Sequence, residues 1–530
     1  MAILNSVMRS KIFEEFSDAE CDRYFSLKAK KTLYHIDTLY YSVTLEEEKV
    51  LDGNFDCPEV LRLVSALRSA KETKQAYPDR DVTFCGLSVE FASYEFYQFC
   101  MRENEMFDIF IAAALPNYDT PRIVVQLRTR ALVLLGPEEA IRQSYDKVQA
   151  ICDEYYLAIK EVKENRIDYA FHSNSIQTPD TFFDDENLKK HLRSNMRDGV
   201  KHFNPQTWEY NHFALGNRRS NNIYCRVYNK SKEVVEMAYK DFFIPRWKEA
   251  GLISEYDAWC LDYAYQRASY NVGVNVARIN WYLEFGKDKT IKSFLIDLLR
   301  KYDIKSSNVK QIKRIVNATS VNITEEEFLD EIEGEINKLL PPVTIVLNFE
   351  YQTKRAFYKT VDIDQMLNGI SVDCPYMLDR LYRVLACQKA VTNYLTDPTG
   401  SMCFLKDRKM KIDYYKYYED PSIYLQDFWY RIKFTEREGL DLPLIRSYSK
   451  NTNIEKLKAR ILGSMASLSM ILHEDADGDH DFVEDLSDLI CTLNDNDVQH
   501  FKKIAADFDF SNEQYNKIRQ RKKRMMKNRV

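Results

Sequence analysis

At 530 residues the chain is long enough for two or three domains, each with its own core. Its charged (29%) and apolar (45%) fractions are ordinary for a globular chain, and no run of about 18 apolar residues predicts a membrane span. The net charge of −6 argues against broad affinity for polyanions, yet residues 201–250 carry nine Lys/Arg against five Asp/Glu, a local surplus of four.

Eleven cysteines are scattered with no CxxC pair, which fits reduced thiols in a cytoplasm and excludes a zinc module or disulfide scaffold. The opening MAILNSVMRSKIFEEF lacks the apolar centre of a signal peptide. Tyrosine is abundant, at 35 residues. It suits either β-rich packing or stacking on unpaired bases, and composition does not separate the two.

In chain order, residues 1–33 read as a partly basic helical segment, and Tyr34 to Val43 as a strand. Pro58 to Gln75 has helical spacing, with Pro in its first turn. Strands are predicted over Thr83–Arg102, Met106–Leu115 and Arg122–Leu135, followed by a helix from Gly136 to about Ile159. Arg166–Phe171 reads as a strand, and Glu209–Leu215 with Ile223–Tyr228 as a hairpin. A helix is predicted from Ser231 to Ala250 and another strand over Ala258–Gln266. Residues 287–340 look helical, Val343–Tyr358 is either a strand or a buried helix, and Tyr376–Leu395 is a helix. The acidic run His473–Asp488 reads as a solvated loop, and the tail Lys517–Arg529 carries eight Lys/Arg. The pattern is α+β: a largely antiparallel sheet with flanking helices, then a mainly helical C-terminal part. The expected divisions are 1–33, 34–270, 271–340 and 341–530.

Alternate residues of a strand share a face. Asp168 and His172 therefore point the same way, and a carboxylate and an imidazole so placed can reach one divalent ion. Asp37 and Asp262 sit in strands predicted from apolar runs, where a carboxylate is costly unless paired, protonated or metal-bound. Tyr228 closes a strand beside Arg226, Lys230 and Lys232, and cations beside a phenol favour its ionised, nucleophilic form. Phosphate-cradling loops of the GxxxxGK[ST] or GxGxxG type are absent, so the chain is not expected to hydrolyse ATP itself.

The stretch ALGNRRSNNIYCRVYNKSKE resembles the G-x-R-x-S turn and R-x-Y-[ND]-K string of the replication-initiation-factor family, which includes rolling-circle plasmid initiators and relaxases of integrative conjugative elements. RIDYAFH resembles the family's R-[LI]-D-hydrophobic-A-[FVI]-D strand, with His172 where the second acid usually stands. HIDTLYYS matches a strand carrying Asp37. WCLDYAYQR matches a V-E-I-E-L-like strand, with Asp262 on the first acid and Ala264 replacing the second. RIVVQLRTRALVLLGPEEA resembles the family's strand and helix opening. The resemblance covers about residues 30–270.

It implies a DNA nickase in which Tyr228 attacks one phosphodiester at an origin, leaving a 5′-phosphotyrosine and a 3′-OH. Arg226 and Lys230 would steady the phosphate, and Arg218, Arg219 and Lys232 would hold the DNA. Mg²⁺ or Mn²⁺ would sit on Asp168, His172, Asp262 and Asp37. The implied partners are origin DNA, a host helicase and a second copy of the chain, with no membrane. No H-hydrophobic-H pair is present, so this would be a carboxylate-based relative of the HUH nickases. The alternative is a family member that binds its DNA site without cutting it.

Overall fold

In a computed structural model of the chain, residues 29–46, 57–115, 120–196, 199–203, 210–218, 222–285, 341–446 and 464 are described. Thirteen strands are found among them. They are β1 (Thr32–Leu45), β2 (Thr83–Phe84), β3 (Leu87–Glu90), β4 (Phe99–Glu103), β5 (Phe107–Ile111), β6 (Ile123–Leu127), β7 (Ile159–Ser173), β8 (Leu192–Ser194), β9 (Gly199–Phe203), β10 (Tyr210–Leu215), β11 (Ile223–Asn229), β12 (Leu347–Lys354) and β13 (Met402–Phe404). Eleven form one sheet in the order β2-β3-β4-β5-β6-β1-β7-β12-β11-β10-β9, and every neighbouring pair is antiparallel. The chain is α+β.

The longest strands, β1 and β7, lie at the centre. Their alternation is what a sheet with two unlike faces requires. Ile167, Tyr169 and Phe171 point into the main apolar core, together with Phe349 and Tyr351 of β12 and Val227 of β11. The helix Pro137–Glu154 packs on that side through Ala140, Ile141, Ser144, Val148, Ile151 and Cys152, which recur at helical spacing. Its Ser144 hydroxyl meets the Tyr41 hydroxyl at 2.8 Å. Gly136 precedes it at φ +83°, a backbone that suits glycine. After β12 the described chain is mainly helical, with Asp379–Ala386 and Gln388–Leu395 also in the core.

Several expectations need correction. Ala258–Gln266 is not a strand: it lies in the helix Glu255–Gln266, which starts at a capping box formed by Ser254 and Asp257. Its buried Tyr256, Cys260, Leu261 and Ala264 follow helical spacing, which leaves Asp262 exposed. Arg122–Leu135 is a strand only to Leu127, and Thr129–Leu134 is helical. The helix predicted over Ser231–Ala250 is two helices, Lys230–Glu236 and Phe243–Glu249.

The largest difference is β12. It lies between β7 and β11, so the sheet takes in a strand from beyond the expected boundaries at 270 and 340. By its internal contacts the chain splits into two compact units, Met1–Arg446 and Ser447–Val530. The acidic run and the basic tail lie outside the described residues. Among the described residues no helix is long and apolar enough to cross a membrane.

Candidate active site

The site lies on the sheet face opposite the main core. In β11, Tyr224, Arg226 and Tyr228 alternate with the core residues Cys225 and Val227. They stand opposite Gln352, Glu350 and Asn348 of β12, which in turn stand opposite Asp168, Ala170 and His172 of β7. On β1 the register skips from Ile36 to Thr38, leaving Asp37 in a bulge. A bulge re-aims side chains locally. Here the Asp37 carboxylate comes within 3.6 Å of His35 Nε2 and 3.4 Å of Lys230 Nζ.

The Tyr228 phenol is fully partnered. It donates to Glu350 Oε2 at 3.1 Å, and it accepts from Asn348 Nδ2 at 2.9 Å and Lys230 Nζ at 3.3 Å. Arg226 Nη2 donates to the same Glu350 oxygen at 2.9 Å, and its guanidinium lies 4.5 Å from the centre of the Tyr228 ring. Lys230 opens the helix Lys230–Glu236, where the Asn229 side chain accepts from the Lys232 N–H as N-cap. That cap turns Lys230 inward, where it is fully buried and also meets Glu233 at 2.6 Å.

Each carboxylate of the wall has a basic partner: Asp168 with Arg166, Glu350 with Arg226, Asp37 with Lys230, and Glu233 with Lys230 and Lys240. Four acids thus face four bases, and the wall is close to neutral. Burial pushes the Tyr228 phenol well above its ordinary value, and Glu350 and Glu233 add to that against the pull of Lys230 and Arg226. The neighbouring cations do favour ionisation, but burial and the two carboxylates outweigh them. Burial, helped by Glu350 and Asp37, pushes Asp168 up to about 6 against Arg166. Burial also opposes the charge on Asp37, but Lys230 and His35 hold it well below the usual carboxylate range.

The structure brings Tyr228, Arg226, Lys230 and Asp37 together, with Asp168 on the same face. Asp262 stands apart on its helix. His172 shares the face but lies under Phe243 and Trp247, and Trp247 Nε1 donates to its Nδ1 at 3.0 Å. The ring proton then sits on Nε2, which leaves no lone pair there for a metal. Lys232 is half-buried, Arg218 is exposed after β10, and Arg219 lies outside the described residues.

Glu350, Asn348 and His35 are the members that sequence reasoning missed. LNFEYQTK did carry a signal, because Asn348, Glu350 and Gln352 alternate with apolar or aromatic neighbours. β12, rather than WCLDYAYQR, is the strand beside the tyrosine strand, and it puts an acid at Glu350.

Hard oxygen donors on this face suit Mg²⁺ or Mn²⁺ by type. The four expected ligands nevertheless do not form a cage, and among the described residues no three His, Cys, Asp or Glu side chains stand close enough to hold an ion. An ion entering here would compete with Lys230 for Asp37 and with Arg166 for Asp168.

No protein family matches the chain by family profile, and no curated protein matches it in sequence. Its fold is similar to the structure of a rolling circle replication initiator protein from Geobacillus stearothermophilus, with 9% identity, coverage of 76% of this chain and 96% of that one, and a TM-score of 0.29.

Proposed function

We propose that the chain is a DNA-nicking strand transferase with Tyr228 as nucleophile and Glu350 as its base. The observation that carries this is the phenol itself, which donates to a buried carboxylate while two further donors, Asn348 and Lys230, point at its oxygen. A nucleophile, a base in hydrogen-bond reach and a third group orienting the base make a nucleophilic constellation, and Arg226 orients Glu350.

Tyr228 is 7% exposed, whereas the Arg226 side chain is 30% exposed over its ring. A phosphodiester would approach from the Arg226 side and meet the guanidinium first. The Tyr228 oxygen bonds to phosphorus as its proton passes to Glu350. The bond from phosphorus to the 3′ oxygen breaks, and that oxygen takes a proton from water. The products are a 5′-phosphotyrosine and a free 3′-OH. Arg226 and Lys230 offset the charge that builds on the phosphoryl oxygens and on the phenolate. The 3′-OH would prime rolling-circle synthesis or the adduct would lead a strand into transfer, with unwinding left to a host helicase.

The test uses supercoiled DNA carrying the element's own upstream region, with Mn²⁺. Wild type should give nicked circles and a protease-sensitive DNA adduct, and Tyr228→Phe should give neither. Nicking by both proteins would move the nucleophile elsewhere, with Tyr224 next on the same strand face. A second reading is favoured by the burial of the phenol and the pairing of each carboxylate: a protein that binds its site without cutting. Tight site-specific binding with no adduct from wild type would establish it.

A further inference from the structure

A cleft of about 540 Å³ opens on the tyrosine's side of the sheet, lined by Tyr94, Phe96, Arg166, Arg218, Lys354 and Arg355 among others. Gln352 lines it too, and it stands opposite both Asp168 and Tyr224. Tyr228 lies four residues further along β11, about 13 Å away by strand rise. Arg166 joins the two places, since it lines the cleft and holds Asp168 through both carboxylate oxygens.

One wall is aromatic and stiff. Tyr94 and Tyr97 exchange backbone hydrogen bonds around the turn at Glu95-Phe96, and Tyr97 Oη donates to the Pro121 carbonyl at 3.0 Å. Phe96 stacks on Tyr97 at 4.4 Å, and Tyr94 packs on Tyr40 at 5.5 Å and Phe110 at 5.6 Å. Tyr94 and Phe96 remain only half-buried. The opposite wall is basic. Burial, with Arg166 and Arg218 adding to it and Glu95 opposing, lowers the affinity of Lys354 for its proton.

We infer that this cleft binds single-stranded DNA, with a base stacked on Tyr94 and Phe96 and the backbone phosphates held by Arg166, Arg218, Lys354 and Arg355. An aromatic wall facing a basic one is the chemistry that single strands require: every base has a stacking face, and every phosphate needs a cation. A duplex hides its base faces and fits this wall poorly. The inference rests on the nicking reading for its purpose, since it supplies the path by which one strand reaches Tyr228.

The test measures anisotropy of a fluorescein-labelled oligothymidylate with full-length protein carrying Tyr228→Phe, so that no covalent adduct interferes. Adding Tyr94→Ala should weaken binding about tenfold, whereas Tyr94→Phe, which keeps the ring, should leave it unchanged. The pair Lys354→Gln and Arg355→Gln, at the cleft rim, should weaken binding at low salt and flatten its salt dependence. A duplex of the same length should compete poorly. Variants that bind as tightly as the parent, or a duplex that competes as well as the single strand, would overturn the cleft. Failure of the nicking reading looks different: wild type would form no adduct on its own DNA while the oligothymidylate still bound in the cleft.

Discussion

Tyr228 is hard to ionise where it stands. Burial and the carboxylates of Glu350 and Glu233 outweigh Lys230 and Arg226, so the phenol keeps its proton well past its ordinary range. At any working pH it must therefore lose that proton during the reaction, and the acceptor of its hydrogen bond is Glu350. Glu350→Gln keeps the shape and removes the base. Its nicking rate should fall roughly a hundredfold or more at neutral pH. Because hydroxide must then do the work, the variant's rate should climb in proportion to hydroxide across the alkaline range, while wild type should climb less. Single-turnover nicking measured against pH reads this directly, and parallel profiles for the two proteins would remove Glu350 from the role. The sequence showed Tyr228, Arg226 and Lys230 because they sit within five residues on one strand and the helix start. It hid Glu350 because the partners that give this carboxylate its role, Tyr228 and Arg226, lie more than a hundred residues away on a paired strand, which no short-range pattern reports. His172 shows the opposite error. Its strand face was read correctly, but the Trp247 hydrogen bond that sets its tautomer comes from a helix 75 residues away.

Elements were legible where one rule governed them. β1, the end of β7 and β11 alternate plainly, and the helix after Gly136 has its Pro start and its apolar stripe. The helix Glu255–Gln266 was misread because AWCLDYAYQ is rich in residues that also favour strands, while Ser254-x-x-Asp257 immediately before it carried the helix signal. That same Asp257 ties the helix to the sheet. One carboxylate accepts from the Ser254 N–H and hydroxyl, and also from the Thr344 N–H and hydroxyl three residues before β12. All three residues are buried. Asp257→Ala would strand four donors, at a cost of about 3 kcal/mol or more. Urea unfolding should show that loss, and nicking should fall as well, because the knot fixes the lead-in to the strand that carries Glu350. A variant as stable as wild type would mean that β12 is held by its ladder alone.

At the scale of the whole molecule the sheet separates two jobs. One face is buried against helices and supplies the core. The other carries the tyrosine wall and, beside it, the aromatic and basic cleft. β12 makes this possible: β11 ends at Asn229 and β12 begins at Leu347, yet they pair along seven residues, so a strand distant in sequence completes the site. A chain of net charge −6 can then bind a polyanion only through a local field. Two places could supply it, the four basic side chains of the cleft or the eight Lys/Arg of the tail 517–529. They differ in salt dependence. Each neutralised phosphate on a single strand contributes a slope of about −0.7 in log affinity against log salt, so the cleft, with Arg166 already paired to Asp168, gives about −2 and the tail about −6. Oligothymidylate binding over a range of salt concentrations distinguishes them. A slope near the smaller value, flattened further by Lys354→Gln and Arg355→Gln, would locate the strand on the sheet beside Tyr228. The steeper slope, unchanged by those substitutions, would locate it on the tail and leave the cleft without its ligand.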